Sequence, residues 1–300
     1  MTTLAGQPPG GAIGPGLVKG EFLFTEKDFR HIAAALHADA GISLTDAKVA
    51  LVYSRLAKRL RTLGLRSFKQ YCALLDADDA ADERQRMIAA LTTNVTRFFR
   101  EPHHFEHLKA KVLPPLLSQA RRGGRVRLWS AGCSSGEEPY SIALTLLSLA
   151  PDAGCFDVKV LATDINMEVL ETGRAGVYSA DALAPAPEAM LKRWFVPELA
   201  QEDGDEPIWR AGEELRALIA FRELNLTGEW PMHGTFDVIF CRNVVIYFDE
   251  VVQQRVWDRF SSIITPGGRL YIGHSERLID PMNRFDREAL TTYRLKEPLL

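Results

Sequence analysis

Hydrophobic positions in the first third of the chain recur every three or four residues, the period of a helix with one buried face. Phe29, Ile32, Ala33 and Leu36 keep this spacing up to Gly41, behind a Thr25–Asp28 pair that reads as a capping box. Thr45 stands where it can cap a second helix, with Val49, Val52, Leu56, Leu60 and Leu63 inward and Gly64 as its stop. A third helix is predicted from Ser67, with Phe68, Tyr71 and Leu75 facing in, and a fourth from Asp82 to Leu91. Short-loop neighbours of this kind predict a small helical bundle over residues 21–93. Residues 1–20 hold many Gly and Pro without periodicity and read as a disordered tail.

Residues 94–125 form a linker. Pro102 fits the first turn of a helix continuing to Val112, and Pro114, Pro115 and the Arg121–Arg125 stretch close the segment. From Val126 the pattern changes to short apolar runs alternating with helical ones. Val126 leads into a turn, a helix over Pro139–Leu149, a strand over Val158–Thr163 ending at Asp164, and a helix over Asn166–Thr172. Residues 176–218 interrupt this rhythm with several Pro and short β-prone stretches, of which Ile208–Arg210 and Leu218–Phe221 are candidates to pair. The main sheet resumes through Ile219–Leu224 and Phe236–Cys241. A helix over Glu250–Ser262, a Thr265-Pro-Gly-Gly turn, a strand over Arg269–Gly273 and a hairpin over Phe285–Leu295 follow. The fold class is α/β: a doubly wound, Rossmann-like sheet of about seven strands over residues 126–300, with a small β insertion at 176–218.

Composition narrows this picture little. A 300-residue chain with 46% hydrophobic and 25% charged residues suits one large globular domain plus a smaller companion. No run approaches the ~18 apolar residues of a membrane span. No secretory signal is visible at the N-terminus. The four cysteines are scattered without a C-x-x-C pair, which suggests neither zinc nor a disulfide framework and fits a reducing cytoplasm. Charge is locally lopsided. Between Ala47 and Leu75 stand seven Lys or Arg (Lys48, Arg55, Lys58, Arg59, Arg61, Arg66 and Lys69) and no Asp or Glu. A solvated helix face is the ordinary meaning of such a run, but solvated faces normally mix both signs, so an acidic partner surface is the expectation. No nucleic-acid recognition motif accompanies it.

The candidate chemistry starts at Val126–Ser141, VRLWSAGCSSGEEPYS. Strand, glycine-containing turn and helix are how a doubly wound domain opens its cofactor crevice. Yet there is no G-x-G-x-x-G and no following Lys. Glu137 and Glu138 stand where a pyrophosphate would rest, so they repel phosphate and welcome a cation. Acids in a first helical turn also suit the macrodipole alone. The hypothesis drawn is a crevice for S-adenosylmethionine, which carries a sulfonium and an ammonium and no phosphate. Asp164, at the end of the second strand, is placed to accept ribose hydroxyls or to cap the next helix. His103, His104 and His107 invite a metal reading, but nothing in the pattern completes a ligand set, and no metal is expected.

Six segments carry a resemblance: TTNVTRFFREPHHF, SAGCSSGEEPYSIA, LATDIN, NLTGEWP, FDVIFCRNVVIYFD and GGRLYIGHSE. In this order they resemble the CheR family of chemotaxis receptor (protein-glutamate) O-methyltransferases, over nearly all of Phe24–Arg294. Val95, where the family usually has an acid, and SSGEE in place of the commoner STGEE are departures. The resemblance implies that Asn94, Thr96, Arg100, Glu137, Asp164, Asn225, Leu226, Arg242 and Asn243 line the S-adenosylmethionine pocket. It implies that Arg100 and Tyr247 lie near the transferred methyl. Glu137 is the acid expected to contact the ligand, and a helix-start role stays open for Glu138. Entry of Arg100 from the linker further implies a helical domain acting as a lid. Lys48, Arg55, Lys58 and Arg59 would meet the cytoplasmic helices of chemoreceptors, and the 176–218 insertion would dock a receptor C-terminal tail. A cytoplasmic monomer that neither inserts into membrane nor binds nucleic acid is expected. Two other readings stand beside it: a non-catalytic S-adenosylmethionine-binding signalling module, and a nucleic-acid methyltransferase, which CRNVVIY disfavours where an Asn- or Asp-Pro-Pro-Tyr segment would be needed.

Overall fold

A computed structural model describes residues 16–198 and 207–297. Most of the expected disordered tail and the acids Glu202, Asp203, Asp205 and Glu206 lie outside the described residues. The chain divides into two compact units, one running to Leu36 and over Leu44–Leu91, the other comprising His37–Ser43 and Thr92 onward.

The first unit is helical, with helices Glu26–Ala40, Val49–Leu63, Phe68–Leu75 and Ala81–Leu91. Thr25 and Asp28 cap reciprocally: the Asp28 amide donates to Thr25 Oγ1 at 3.2 Å and the Thr25 amide to Asp28 Oδ2 at 2.9 Å. Ser67 Oγ accepts the Gln70 amide, and Gly64 ends its helix at φ +67°. Thr45 does not cap through its side chain, because the chain enters the helix through a 3-10 turn over Asp46–Lys48. Val52, Leu56 and Leu60 are buried as the period requires. The basic run is less free than its pattern suggests. Arg59 pairs with Glu83, which also accepts the Tyr71 hydroxyl at 2.9 Å, and Arg55 donates to the Leu91 carbonyl at 2.9 Å. Lys48, Lys58, Arg66 and Lys69 are exposed.

Among the described residues the second unit carries ten strands: β1 Val126–Ala131, β2 Val158–Asp164, β3 Val177–Ser179, β4 Phe195–Glu198, β5 Ile208–Ala211, β6 Ile219–Glu223, β7 Phe236–Cys241, β8 Ile264–Ile272, β9 Phe285–Ala289 and β10 Thr292–Leu295. Seven form one sheet in the order β6-β2-β1-β7-β8-β10-β9, the first five parallel and the last two an antiparallel hairpin. Successive side chains on a strand face opposite ways. Leu128, Val238, Phe240 and Tyr271 accordingly enter one core, while Trp129, Ile239, Leu270 and Ile272 enter the core on the other face. Helix Glu137–Leu149 covers the first face, and helix Glu250–Ile263, with Val256, Trp257 and Phe260 inward, covers the second. The doubly wound α/β reading with a helical N-terminal domain holds.

Three local expectations are corrected. Ile208–Arg210 does not pair with Leu218–Phe221. β5 pairs with β3 and β4 in a separate antiparallel sheet, and β6 joins the main sheet beside β2. Thr265-Pro-Gly-Gly is not a turn ahead of a strand. It is a bulge within β8, with Phe236 opposite Ile264 and Val238 opposite Arg269. Pro114 and Pro115 do not close a linker but open the helix Leu113–Arg121. They follow a π-helical turn over Leu108–Val112, which suits residues that have no N–H to donate to the turn behind.

Candidate active site

The order of the main sheet reverses between β1 and β7: β1 is followed by β2 on one side, while β7 and β8 extend the other. Ligands of open α/β sheets bind at that point, beyond the carboxyl ends of the strands. Five strand-end loops meet the requirement here, after β1, β2, β6, β7 and β8.

The β1 turn is held tightly. The amides of Gly132 and Cys133 both donate to the Thr163 carbonyl at 2.8 Å. Gly132 has φ +80°, and a Cβ there would lie 2.3 Å from Val244 Cγ2, so only glycine lets this turn pass the β7 loop. Asp164 accepts the Ser134 amide at 2.8 Å through Oδ2 and the Asn166 amide at 3.0 Å through Oδ1. It does not cap the next helix; Asn166 does, accepting the Glu168 amide at 3.0 Å. Glu137 accepts the Ser135 hydroxyl at 2.7 Å, and Ser134 Oγ donates to the Asn94 carbonyl at 3.0 Å. Asn94, Glu137 and Asp164 therefore converge on Ser134 and Ser135. Burial raises the carboxyl pKa of both Glu137 and Asp164, against the hydrogen bonds that each accepts. Among the described residues neither acid makes an ion pair.

Residues Thr92–Arg100 run along this turn. Asn166 Nδ2 donates to Thr92 Oγ1 at 3.4 Å, the Phe99 amide donates to Ser141 Oγ at 2.9 Å, and Arg100 Nη1 donates to the Val95 carbonyl at 3.0 Å. Thr96 is half-buried within this segment and Val95 is exposed.

At the end of β7, Arg242 is buried and its guanidinium pairs with Glu138 at 2.9 Å and Glu101 at 3.4 Å. Glu138, in the first turn of its helix, thus has a task beyond helix start; it also accepts the Ser130 hydroxyl at 2.7 Å. Arg242 Nε and Asn243 Oδ1 are buried and have no hydrogen-bond partner among the described residues. Tyr247 lies in a one-turn 3-10 helix, Val245–Tyr247, and is half-buried. At the end of β6, Asn225 Oδ1 accepts the Thr227 amide of its own loop at 2.9 Å and Nδ2 donates to the carbonyl of Asp39, in the helix Glu26–Ala40, at 2.6 Å. Leu226 is buried in the second core.

Two of the three histidines make structural hydrogen bonds, while His103 Nε2 is buried with no hydrogen-bond partner among the described residues. His104 Nε2 bonds Thr291 Oγ1 at 2.8 Å, and His107 Nδ1 bonds the Tyr271 hydroxyl at 2.9 Å. Ligand atoms of Glu101, His103 and His104 do lie within 4.8 Å of one another. The Arg242 guanidinium, 3.4 Å from Glu101 Oε2, already supplies the positive charge there.

Residues 27–92 match the CheR methyltransferase all-alpha domain, and residues 94–294 match the CheR methyltransferase SAM binding domain. The chain belongs to the CheR methyltransferase family. Among its relatives is a probable chemotaxis protein methyltransferase of Rhizobium etli, 51% identical over 260 residues, which span 86% of this chain and 96% of that protein. Chemotaxis protein methyltransferase 2 of Pseudomonas aeruginosa is 42% identical over 281 residues, 91% of this chain and 94% of that one. The chemotaxis protein methyltransferase of Escherichia coli is 41% identical over 279 residues, 91% and 92% of the two chains. The resemblance carried by the six sequence segments is borne out, and this CheR methyltransferase is an S-adenosylmethionine-dependent enzyme.

Its crevice fits that cofactor. Two buried carboxylates without a cation, Glu137 and Asp164, and an orphaned acceptor, Asn243 Oδ1, suit a ligand with positive charge and hydroxyls. Phosphate would find no favourable field there. Sequence reasoning missed Glu101, His274 and Glu276. Glu276 is a buried acid that accepts the Val244 and Val245 amides at 2.8 and 3.0 Å and so ties the β8 loop to the β7 loop. Its place in the GGRLYIGHSE segment was the only available signal.

Proposed function

We propose that the chain transfers a methyl group from S-adenosylmethionine to glutamate side chains of chemoreceptors in the cytoplasm, forming the glutamyl methyl esters of sensory adaptation. The observation that carries this reading is the cation-free pair of buried acids, Glu137 and Asp164, at the switch point of a CheR-family sheet. The relatives' names supply the acceptor, a chemotaxis protein pathway.

When bound, S-adenosylmethionine supplies a methyl group activated by its sulfonium. A glutamate carboxylate, with an ordinary pKa of about 4.3, is already ionised at neutral pH, so no residue of this chain has to take a proton. The chain contributes orientation and desolvation. Glu137 and Asn243 hold the charged end of the cofactor and Asp164 its hydroxyls, with Asn94, Thr96, Asn225 and Leu226 completing the pocket and Arg242 bracing its wall through Glu138 and Glu101. Arg100 holds the incoming carboxylate, and Tyr247, whose hydroxyl has no partner among the described residues, helps orient it. The exposed Lys48 and Lys58 meet acidic receptor helices, with Arg55 and Arg59 behind them, and the β3-β5-β4 sheet takes a receptor tail. The enzyme acts as a monomer.

Tritiated methyl transfer to receptor-bearing membranes tests this reading. Label should appear on the receptor and leave as methanol in mild base; base-stable label would rule out an ester. Arg100→Ala should abolish transfer in a protein that still folds, and Tyr247→Phe should retain part of it.

A further inference from the structure

Arg100 sits between two residues with left-handed backbones, Phe99 at φ 50° and Glu101 at φ 58°. Side-chain-bearing residues populate that region sparsely, and two so close together persist only where the surroundings over-determine them. Here the surroundings are specific. The Phe99 amide is held by Ser141 Oγ at 2.9 Å. Glu101 Oε1 accepts both the backbone amide and the ring Nδ1 of His274, at 3.2 and 2.9 Å. Arg242 then takes the turn from beneath. Its Nη2 donates to the Arg100 carbonyl and lies 3.4 Å from Glu101 Oε2, while its Nη1 donates to Glu138 Oε2 at 2.9 Å. The Arg242 side chain is 2% exposed and Glu138 11%, so this is a desolvated strut rather than a surface pair.

We propose that Arg242 and Glu138 are positioning residues that fix the Phe99–Arg100–Glu101 turn, and with it the direction in which the Arg100 side chain leaves the backbone. Both terminal nitrogens of Arg242 are spent on protein groups, and only Nε is left without a partner. Arg242 therefore serves the acceptor side of the reaction more than the cofactor side. A guanidinium is required because the strut branches: one nitrogen reaches the helix that follows the β1 turn, the other the Arg100 turn. A lysine ammonium is a point donor on a flexible stem and cannot reproduce that fork. The inference rests on the role given to Arg100 above.

Steady-state methylation and calorimetric S-adenosylmethionine binding of Arg242→Lys and Glu138→Gln, each checked for folding by circular dichroism, test it. We expect kcat to fall at least about thirtyfold in Arg242→Lys and about tenfold in Glu138→Gln. The cofactor Kd should rise no more than about fivefold, the loss that one neutral hydrogen bond allows. Adding Arg242→Lys to Arg100→Lys should cost less than about twofold beyond Arg100→Lys alone. A cofactor Kd that rises as far as kcat falls would make Arg242 a cofactor ligand and overturn the proposal. So would full additivity of the two substitutions, which would show Arg242 acting independently of Arg100. Full activity of Arg100→Lys and Arg100→Ala would instead remove the role of Arg100 itself, a failure distinct from the other two.

Discussion

The Asp164 carboxylate holds the Ser134 amide at 2.8 Å, so the acid at the end of β2 fixes the turn that follows β1. Its second oxygen holds Asn166 at 3.0 Å, and each oxygen keeps a lone pair for a ligand hydroxyl. In Asp164→Asn one of these two backbone donors must face an NH2 group. The expected cost is about 1–3 kcal/mol of folding stability, together with weaker cofactor binding. Urea denaturation and calorimetry on the same sample check both; unchanged values in each would deny the acid its double role.

Glu137 differs from Asp164 in that its side-chain partner among the described residues is a hydroxyl, Ser135. A charge-assisted hydrogen bond is worth about 1.5–3 kcal/mol, so Glu137→Gln should weaken S-adenosylmethionine binding by about ten- to a hundredfold with little effect on folding. Because burial raises this carboxyl's pKa, the wild-type affinity should decline as pH is lowered below neutrality, and the Gln variant should lose that dependence. Titration calorimetry at several pH values reads this directly. A flat wild-type profile would mean that Glu137 does not face the cation.

Gly273 lies where the β8 loop passes the β7 loop. A Cβ there would come within 2.8–2.9 Å of Asn243 Nδ2, the Asn243 amide nitrogen and Glu276 Oε2. The Gly273 amide itself donates to Glu276 Oε2 at 2.5 Å. Gly273→Ala should therefore displace Asn243 and lower both the melting temperature and the further stabilisation that cofactor confers. Glu276→Gln should destabilise by about 1–3 kcal/mol for each backbone amide it orphans. Thermal shift with and without S-adenosylmethionine distinguishes the variants, and wild-type behaviour of Gly273→Ala would show the contact to be slack.

His104 is buried, and its pKa is pushed down to about 3 by desolvation first, then by the charges of Arg242 and His103, against Glu101. The unfolded chain takes up a proton on this ring below about pH 6.5, whereas the native state refuses it. Stability from this group is thus complete above pH 6.5 and is lost as pH falls toward 3, by at most about 1.4 kcal/mol per pH unit. Ring-nitrogen NMR should find His104 neutral at pH 5. A protonated ring there would contradict the arrangement.

Local features of the fold were legible because their causes are local. The Thr25–Asp28 box, the Ser67 cap and the Gly64 stop are each written within a few residues, and the alternation of Leu128 with Trp129 follows from the strand period. Partner choice was not legible. Nothing in Ile208–Ala211 says that it joins Val177–Ser179 and Phe195–Glu198 rather than the adjacent Ile219 stretch. The candidate site divides the same way. Glu137 stood out because the turn before it is a contiguous signature. The tasks of Glu138, Glu101 and Glu276 depend on Arg242, His274 and the Val244 and Val245 amides, partners that only the folded sheet brings near.

The helix Glu26–Ala40 begins in one compact unit and ends in the other. Its last turn and the residues after it give the methyltransferase unit the His37–Asp249 pair at 2.7 Å, the Asp39 carbonyl that holds Asn225, and the Ile42–Phe248 bridge. The covalent order of the chain is therefore not the order of its compact units. A fragment begun at Thr92 would carry every strand of the main sheet and still lack a piece of its own wall, as a split protein does, until the His37–Ser43 peptide was returned to it.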